Sequence, residues 1–188
     1  MIPKLEAGRV YHIFNRGNNR ENLFREERNY RYFLNLYSKY AVPVVITYAY
    51  CLMPNHFHFL VKTKEDDSKR FDPKQQFSNL FNSYAKSMNK AYGRTGALFQ
   101  RPFGRIEVTS DAYYTYLVYY IHLNPQKHGF TKDFRSYPYS SFRLLLSDEP
   151  SFLASGEVMN WFGGKETFID AHKKAESALI PAELLVED

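Results

Sequence analysis

Two periods of apolar and polar residues alternate along this chain, and the switches between them divide it into elements. Residues 9–16 are rich in β-branched and aromatic side chains and read as a first strand, ended by the turn-forming cluster Asn15-Arg16-Gly17-Asn18-Asn19-Arg20. From Glu26 to Tyr40 the residues Tyr30, Phe33, Leu34, Leu36, Tyr37 and Tyr40 recur at helical spacing, with glutamates early and Lys39 late, as the helix dipole favours. Val44 to Leu52 reads as a central strand. The short connection Met53-Pro54-Asn55 leads into a second strand running to Val61, so these two are expected to pair antiparallel.

A charged loop, Lys64 to Arg70, precedes Asp72-Pro73, a capped helix start with proline at the first helical position. Phe77, Leu80, Phe81, Tyr84, Ala85, Met88, Ala91 and Tyr92 then trace an amphipathic helix that Gly93 stops. A basic, glycine-containing loop, Arg94 to Arg101, leads into a short strand from Phe103 to Val108. Thr109 or Ser110 caps the next helix, Asp111 to about Leu123, which Asn124-Pro125 closes. Beyond it, Phe142 to Leu146 reads as a short helix and Glu166 to Ala178 as a longer one, with no internal repeat anywhere. The order strand, helix, strand, strand, helix, strand, helix predicts an α+β fold, an antiparallel sheet with helices packed on it. Residues 1–145 form the expected main domain and residues 146–188 a small C-terminal helical extension.

Composition narrows the picture. The 188 residues suffice for one domain with a core, and the single cysteine, Cys51, excludes an internal disulfide. No basic-then-apolar leader opens the chain, and no apolar run approaches the ~20 residues that span a bilayer, so a soluble intracellular protein without membrane contact is expected. The net charge of +5 is unevenly spread. Residues 1–110 carry 18 Lys and Arg against 9 Asp and Glu, whereas residues 111–188 carry 7 against 11. The basic part would draw a polyanion, and exposed members of the 16 Tyr and 16 Phe could stack on unpaired bases, although most aromatics belong in the core.

The candidate chemistry centres on Asn55-His56-Phe57-His58-Phe59. On a strand, His56 and His58 project from one face about 7 Å apart, and Phe57 and Phe59 from the other. Such a pair can hold one metal ion, but two histidines alone leave it under-coordinated. On the later helix Tyr120 and Asn124 lie four apart and share a face, offering a phenol and an amide oxygen side by side. Tyr116 shares that face one turn earlier and rivals Tyr120, whereas Tyr119 pairs with apolar Leu123 and suits the core. Imidazoles with an amide oxygen suit a divalent ion such as Mg²⁺ or Mn²⁺, with zinc also compatible.

With these motifs in order, the chain resembles the HUH-type single-tyrosine transposases of the insertion-sequence-200-like family, especially the REP-associated tyrosine transposase branch. His56-Phe57-His58, within Cys51-Leu-Met-Pro-Asn-His-Phe-His58, is similar to the histidine, hydrophobic, histidine motif that names the group. Tyr120-Ile-His-Leu-Asn-Pro-Gln-Lys-His-Gly129 resembles its catalytic helix, Asn15-Arg16-Gly17-Asn18 its early motif, and Gly96-Ala-Leu-Phe-Gln100 its Gly-x-Leu-Phe-Gln segment. The resemblance covers about residues 9–142. It implies a ferredoxin-like sheet, Tyr120 as nucleophile, and His56, His58 and Asn124 as metal ligands, the last where many members carry glutamine.

The implied activity is transposase chemistry: metal-assisted cleavage and rejoining of single-stranded DNA beside hairpins, through a 5′-phosphotyrosine intermediate. An unperturbed tyrosine has a pKa of about 10, so it needs activation by the cation or a base. Arg16, Asn18, Asn19, Arg20, Arg94, Arg101 and Arg105 are the candidate DNA contacts, because guanidiniums pair with phosphate and stack on bases. His12 and His122 read as structural, and Lys127 and His128 as either DNA contacts or a polar helix end. The resemblance further implies a cytoplasmic, nucleoid-associated protein, and it is compatible with a monomer or a homodimer, since some members complete each site with a partner's tyrosine helix; whether Tyr120 meets His56 and His58 in cis or in trans is open at this point. Two other functions fit the same residues: a domesticated hairpin-binding protein that does not cut, and a metal-dependent phosphodiesterase with water as nucleophile.

Overall fold

The computed structural model describes residues 4–65 and 72–177. Four strands, β1 (Val10–Arg16), β2 (Val45–Met53), β3 (His56–Thr63) and β4 (Gly104–Glu107), form one sheet in the order β2-β3-β1-β4, each pair antiparallel. With α1 (Glu27–Tyr40) between β1 and β2 and α2 (Pro73–Ala91) between β3 and β4, this is the split βαβ arrangement of ferredoxin-like folds. The expected α+β architecture is thus present, with the histidine strand in the interior of the sheet.

Local chemistry explains where the elements begin. The side chain of Glu26 and that of Asn29 cap α1 reciprocally, and Asp72 accepts the Gln75 N–H at 2.9 Å ahead of Pro73. Pro54 and Asn55 form the tight link between β2 and β3. Alternation then sorts the side chains of β3. Phe57 and Phe59 face α1 and α2, where Phe33 lies 5.1 Å from Phe57, Tyr37 stacks on Phe59 at 4.3 Å and Phe81 is 5.5 Å from Phe57. His56, His58 and Leu60 share the opposite face with His12 and Phe14 of β1, and that face is covered by α3 (Asp111–Lys127).

Helix α3 departs from the sequence expectation. It does not close at Leu123 but runs through Pro125 to Lys127, so Asn124 is a helical, fully buried residue. Proline's fixed φ is compatible with the helix, and near its end only one backbone hydrogen bond is given up. The last carbonyls of the helix keep their donors: Asn124 accepts from the His128 N–H at 2.9 Å and Pro125 from the Phe130 N–H at 2.8 Å.

Residues past 145 share the core of the main domain. Helices α4 (Phe142–Leu146), α5 (Ser155–Phe162) and α6 (Lys165–Ser177) bury Leu145, Val158, Phe162 and Phe168 in the same hydrophobic cluster as the sheet. They grip α3 on the side away from the histidine strand. His172 Nδ1 lies 2.7 Å from the Phe168 carbonyl, which can only accept, so His172 Nε2 accepts from His122 Nδ1–H at 2.9 Å. His122 Nε2 in turn accepts from Ser141 Oγ at 2.7 Å. Both imidazoles are therefore neutral; burial pushes His122 well below the usual range and His172 down to about 4. No described helix is long and apolar enough to cross a membrane.

This pair sets a pH dependence of stability. Because folded His172 stays neutral down to about 4 while an unfolded histidine protonates near 6.5, its contribution is complete above 6.5 and is lost as pH falls toward 4. The expected loss is of order 3 kcal/mol, read as a falling urea midpoint between pH 7.5 and 4.5. His172→Phe should flatten that dependence while costing about 1–3 kcal/mol at pH 7.5, since His122 Nδ1–H loses its acceptor. An unchanged pH slope in the variant would refute the assignment.

Candidate functional site

The site is built from the α3-facing side of β3 and β1. His56 and His58 are 3% and 1% exposed, with ring centroids 5.3 Å apart and planes at 89°. The Asn55 amide oxygen lies 2.6 Å from His56 Nδ1; an amide oxygen accepts, so Nδ1 carries the hydrogen. His58 Nδ1 lies 3.0 Å from His12 Nε2, while its own Nε2 is buried with no hydrogen bond among the described residues. Burial, and then the charges of His12, His56, His128 and Lys127, push the His58 pKa well down, so the ring is neutral. When Nδ1 donates to His12, Nε2 presents a lone pair.

His12, read from sequence as structural, thus orients one member of the pair. The missing signal was register: His12 pairs with Leu60 and so sits diagonally beside His58, a relation invisible until β1 and β3 are aligned.

Helix α3 supplies the other half. The Tyr120 ring meets those of His58 at 5.9 Å and His12 at 6.1 Å, both edge-on, and all three belong to one chain. Lys127 Nζ lies 5.8 Å from the centre of the Tyr120 ring. Tyr116 stacks on Tyr120 at 6.2 Å, its hydroxyl is buried without a hydrogen bond among the described residues, and burial raises its pKa well above the usual range. Tyr119 turns toward His172 at 6.1 Å. Asn124, one turn beyond Tyr120, is wholly buried with neither amide atom hydrogen-bonded among the described residues.

A buried amide left without a partner costs free energy, of order 1–3 kcal/mol, unless a ligand completes it. Two imidazole nitrogens and an amide oxygen are donors that a divalent cation of borderline hardness accepts. No group of three or more His, Cys, Asp and Glu suited to a metal occurs among the described residues, so such an ion would depend on the amide oxygen from α3.

Beside the histidines lies a cavity of about 170 Å³, lined among others by Phe14, Arg16, His56, His58, Gln100 and Gly104; Tyr120 and Asn124 do not line it. Arg16 is paired in register with His56, and its Nε is buried without a hydrogen bond among the described residues. Gly104 is required here, because a Cβ would come within 2.2 Å of the Phe14 ring, which itself stacks near His58 at 6.1 Å.

A wider cleft of about 700 Å³ opens between α2 and residues 96–105, where Arg101 and Arg105 join Lys74, Asn82 and Asn89 over Phe81, Phe99 and Phe103. It shares Asn15, Gln100 and Pro102 with the histidine cavity. Arg105 sits opposite Ile13, on the sheet face away from the histidines. The Asn18 N–H is tied to the Leu98 carbonyl at 2.8 Å, while Asn19 and Arg20 are exposed on the turn. Arg94 is engaged elsewhere: its guanidinium binds Glu21 and Asn89 and holds two loops together. The His128 ring returns to within 5.0 Å of that of His56.

Comparison with known proteins agrees with this architecture. A family model described as transposase, IS200 like, matches residues 8–124. A Haemophilus influenzae protein named for the REP-associated tyrosine transposases is 31% identical over 110 residues, a match spanning 55% of this chain and 62% of that protein. A solved structure of a REP-associated tyrosine transposase bound to a REP hairpin has the same fold. Its TM-score is 0.63 at 18% identity, over 88% of this chain and 96% of the other.

The packing around Phe14 yields a paired test. Gly104→Ala should destabilise the protein by about 1–3 kcal/mol, since Phe14 must move, and should shift the imidazole resonances of His58. Gly156→Ala, in α5 with nothing within 4 Å of the added methyl, should instead stabilise by about 0.5–1 kcal/mol. Equal denaturation midpoints for the two variants would contradict the close approach at Gly104.

Proposed function

This chain belongs to the IS200-like transposase family, and from that premise we propose that it cleaves and rejoins single-stranded DNA next to hairpins, with Tyr120 as nucleophile. The observation that carries the reading is the meeting, within one chain, of the Tyr120 ring and His58, with the Asn124 amide one turn on and without a hydrogen bond among the described residues. The likeness to a hairpin-bound structure supports a hairpin substrate.

His56 Nε2, His58 Nε2 and Asn124 Oδ1 would hold a Mg²⁺ or Mn²⁺ ion. Bound there, such an ion supplies Lewis-acid polarisation of the phosphate and offsets charge gathering on its oxygens. Tyr120 gives up its phenolic proton as its oxygen bonds to phosphorus. The bond from phosphorus to the 3′-oxygen breaks, and that oxygen leaves as a free hydroxyl after taking a proton. The 5′-phosphotyrosine keeps the ester, so a second 3′-hydroxyl can attack it and release Tyr120 without a high-energy cofactor. The Lys127 ammonium beside the ring favours the anionic tyrosine electrostatically, and Arg16, next to His56, is placed to pair with a phosphate. His12 keeps His58 in the orientation that presents Nε2.

One observation favours a second reading. Tyr120 is only 2% exposed, as would suit a protein that binds hairpins without cutting them.

Incubation with labelled hairpin-bearing single strands and Mn²⁺ separates the two. Cleavage predicts a protein–DNA adduct that survives denaturation, is lost with Tyr120→Phe, His56→Ala or a chelator, and persists with Tyr116→Phe. Hairpin affinity should survive Tyr120→Phe and fall steeply with salt. An adduct formed by Tyr120→Phe would sink the nucleophile assignment, and hairpin binding without any adduct would establish the second reading.

A further inference from the structure

We propose that Phe130, with the His128 ring beside it, is a stacking platform for the unpaired base adjoining the phosphate at His56 and His58. The inference rests on reading the site as a single-strand cleavage centre. Among the described residues the large hydrophobic side chains left exposed are Tyr32, Ile106 and Phe130. Tyr32 is hydrogen-bonded to Ser87 at 2.8 Å, and Ile106 lies on the edge strand β4. Phe130 differs in its address: it is 40% exposed, and its ring lies 6.4 Å from that of His56 and 6.4 Å from that of His128.

The ring is held on a rigid turn. His128 caps α3, Gly129 follows at φ 73°, its N–H bonds to the Gln126 carbonyl at 3.0 Å, and the Phe130 N–H bonds to the Pro125 carbonyl at 2.8 Å. This double bond pattern is the Schellman closure, which fixes the direction of the chain at Phe130. An aromatic face fixed in place and still open to solvent loses little conformational entropy when a base covers it.

The surroundings select a nucleobase as the occupant. Lys127 is exposed three residues before Phe130, and Arg16 is paired in register with His56, whose ring neighbours that of Phe130, so a phosphate backbone reaching this end meets positive charge. The nearby carboxylates do not oppose this, because Asp133 and Glu176 both pair with Arg135. The order along one helix end matters too. Tyr120 reaches His58 and Phe130 reaches His56, so the two aromatics bracket the histidine pair and the stacked base lies on the His56 side.

The test uses hairpin-bearing oligonucleotides with 2-aminopurine placed in turn at each unpaired position, bound to the full chain carrying Tyr120→Phe so that no cleavage intervenes. One position should be quenched on binding, lose its quenching when Phe130→Ala is added, and keep it with Phe130→Trp. In cleavage by protein with Tyr120 intact, Phe130→Ala should raise KM on the order of tenfold and leave kcat within about twofold. On a substrate abasic at the quenched position the same substitution should have no further effect. An equal loss on intact and abasic strands, or no loss on either, would overturn the platform. If no protein forms an adduct while quenching still follows the Phe130 series, the platform stands and the cleavage reading falls.

Discussion

The register of β3 is the constraint on which the structure depends. Side chains alternate strictly along a strand, so a slip of one residue would exchange His56 and His58 for Phe57 and Phe59 on the α3 side. Phe57 and Phe59 are 0% and 1% exposed against α1 and α2, and each buried ring of this kind is worth about 2–3 kcal/mol. Burying imidazoles there instead would leave their nitrogens unsatisfied among Phe33, Tyr37 and Phe81. The turn pins the same register from outside: the Gly17 N–H donates to the Asn55 carbonyl at 2.7 Å and the Phe24 N–H to that of Pro54 at 2.9 Å. The site therefore comes from the same alternation that builds the core.

Helix α3 is held between two buried histidine networks that differ in one respect. On its outer side His122 uses both ring nitrogens, one toward His172 and one toward Ser141, so nothing remains for a ligand. On its inner side His58 uses only Nδ1, and Asn124 uses neither amide atom within the described structure. Both histidines are buried and neutral, so burial does not tell function from structure. The count of satisfied atoms does. It also gives the C-terminal helices a role, because they hold the outer face of the helix whose inner face carries Tyr120.

Much of this was legible in the sequence, for identifiable reasons. Long periodic segments such as residues 26–40 and 72–92 carry their own signal, and the pairing of β2 with β3 follows from the short connection Met53-Pro54-Asn55, of which Met53 belongs to β2. The end of α3 was misread because proline usually stops a helix, whereas here the chain folds back and supplies N–H donors to the carbonyls beyond Leu123. Helix α5 went unseen because it is eight residues long and buries only Val158 and Phe162, too few to show a period. The boundary expected at 145 follows no change of period in the sequence; the core runs across it through Leu153 and Phe168. His12 needed strand register, and the engagement of Arg94 by Glu21 needed two loops in contact.

The direction of α3 poses a problem that its C-terminal end resolves. A helix presents partial negative charge at its C-terminus, the wrong end for a phosphate. In this chain the carbonyls of Asn124, Pro125 and Gln126 all accept N–H groups from residues 128–131, which removes the bare oxygens that would repel an anion. Lys127 adds a full positive charge at the same place, and His128 and Phe130 are carried outward on the closing turn. Exposure rises along this end, from 0% at Asn124 and 2% at Tyr120 to 40% at Phe130, so on the proposed function a strand arriving from solvent would meet the aromatic turn before Tyr120. The tight closure that lets the helix pass its proline is thus the same feature on which the proposed DNA contacts of this end depend.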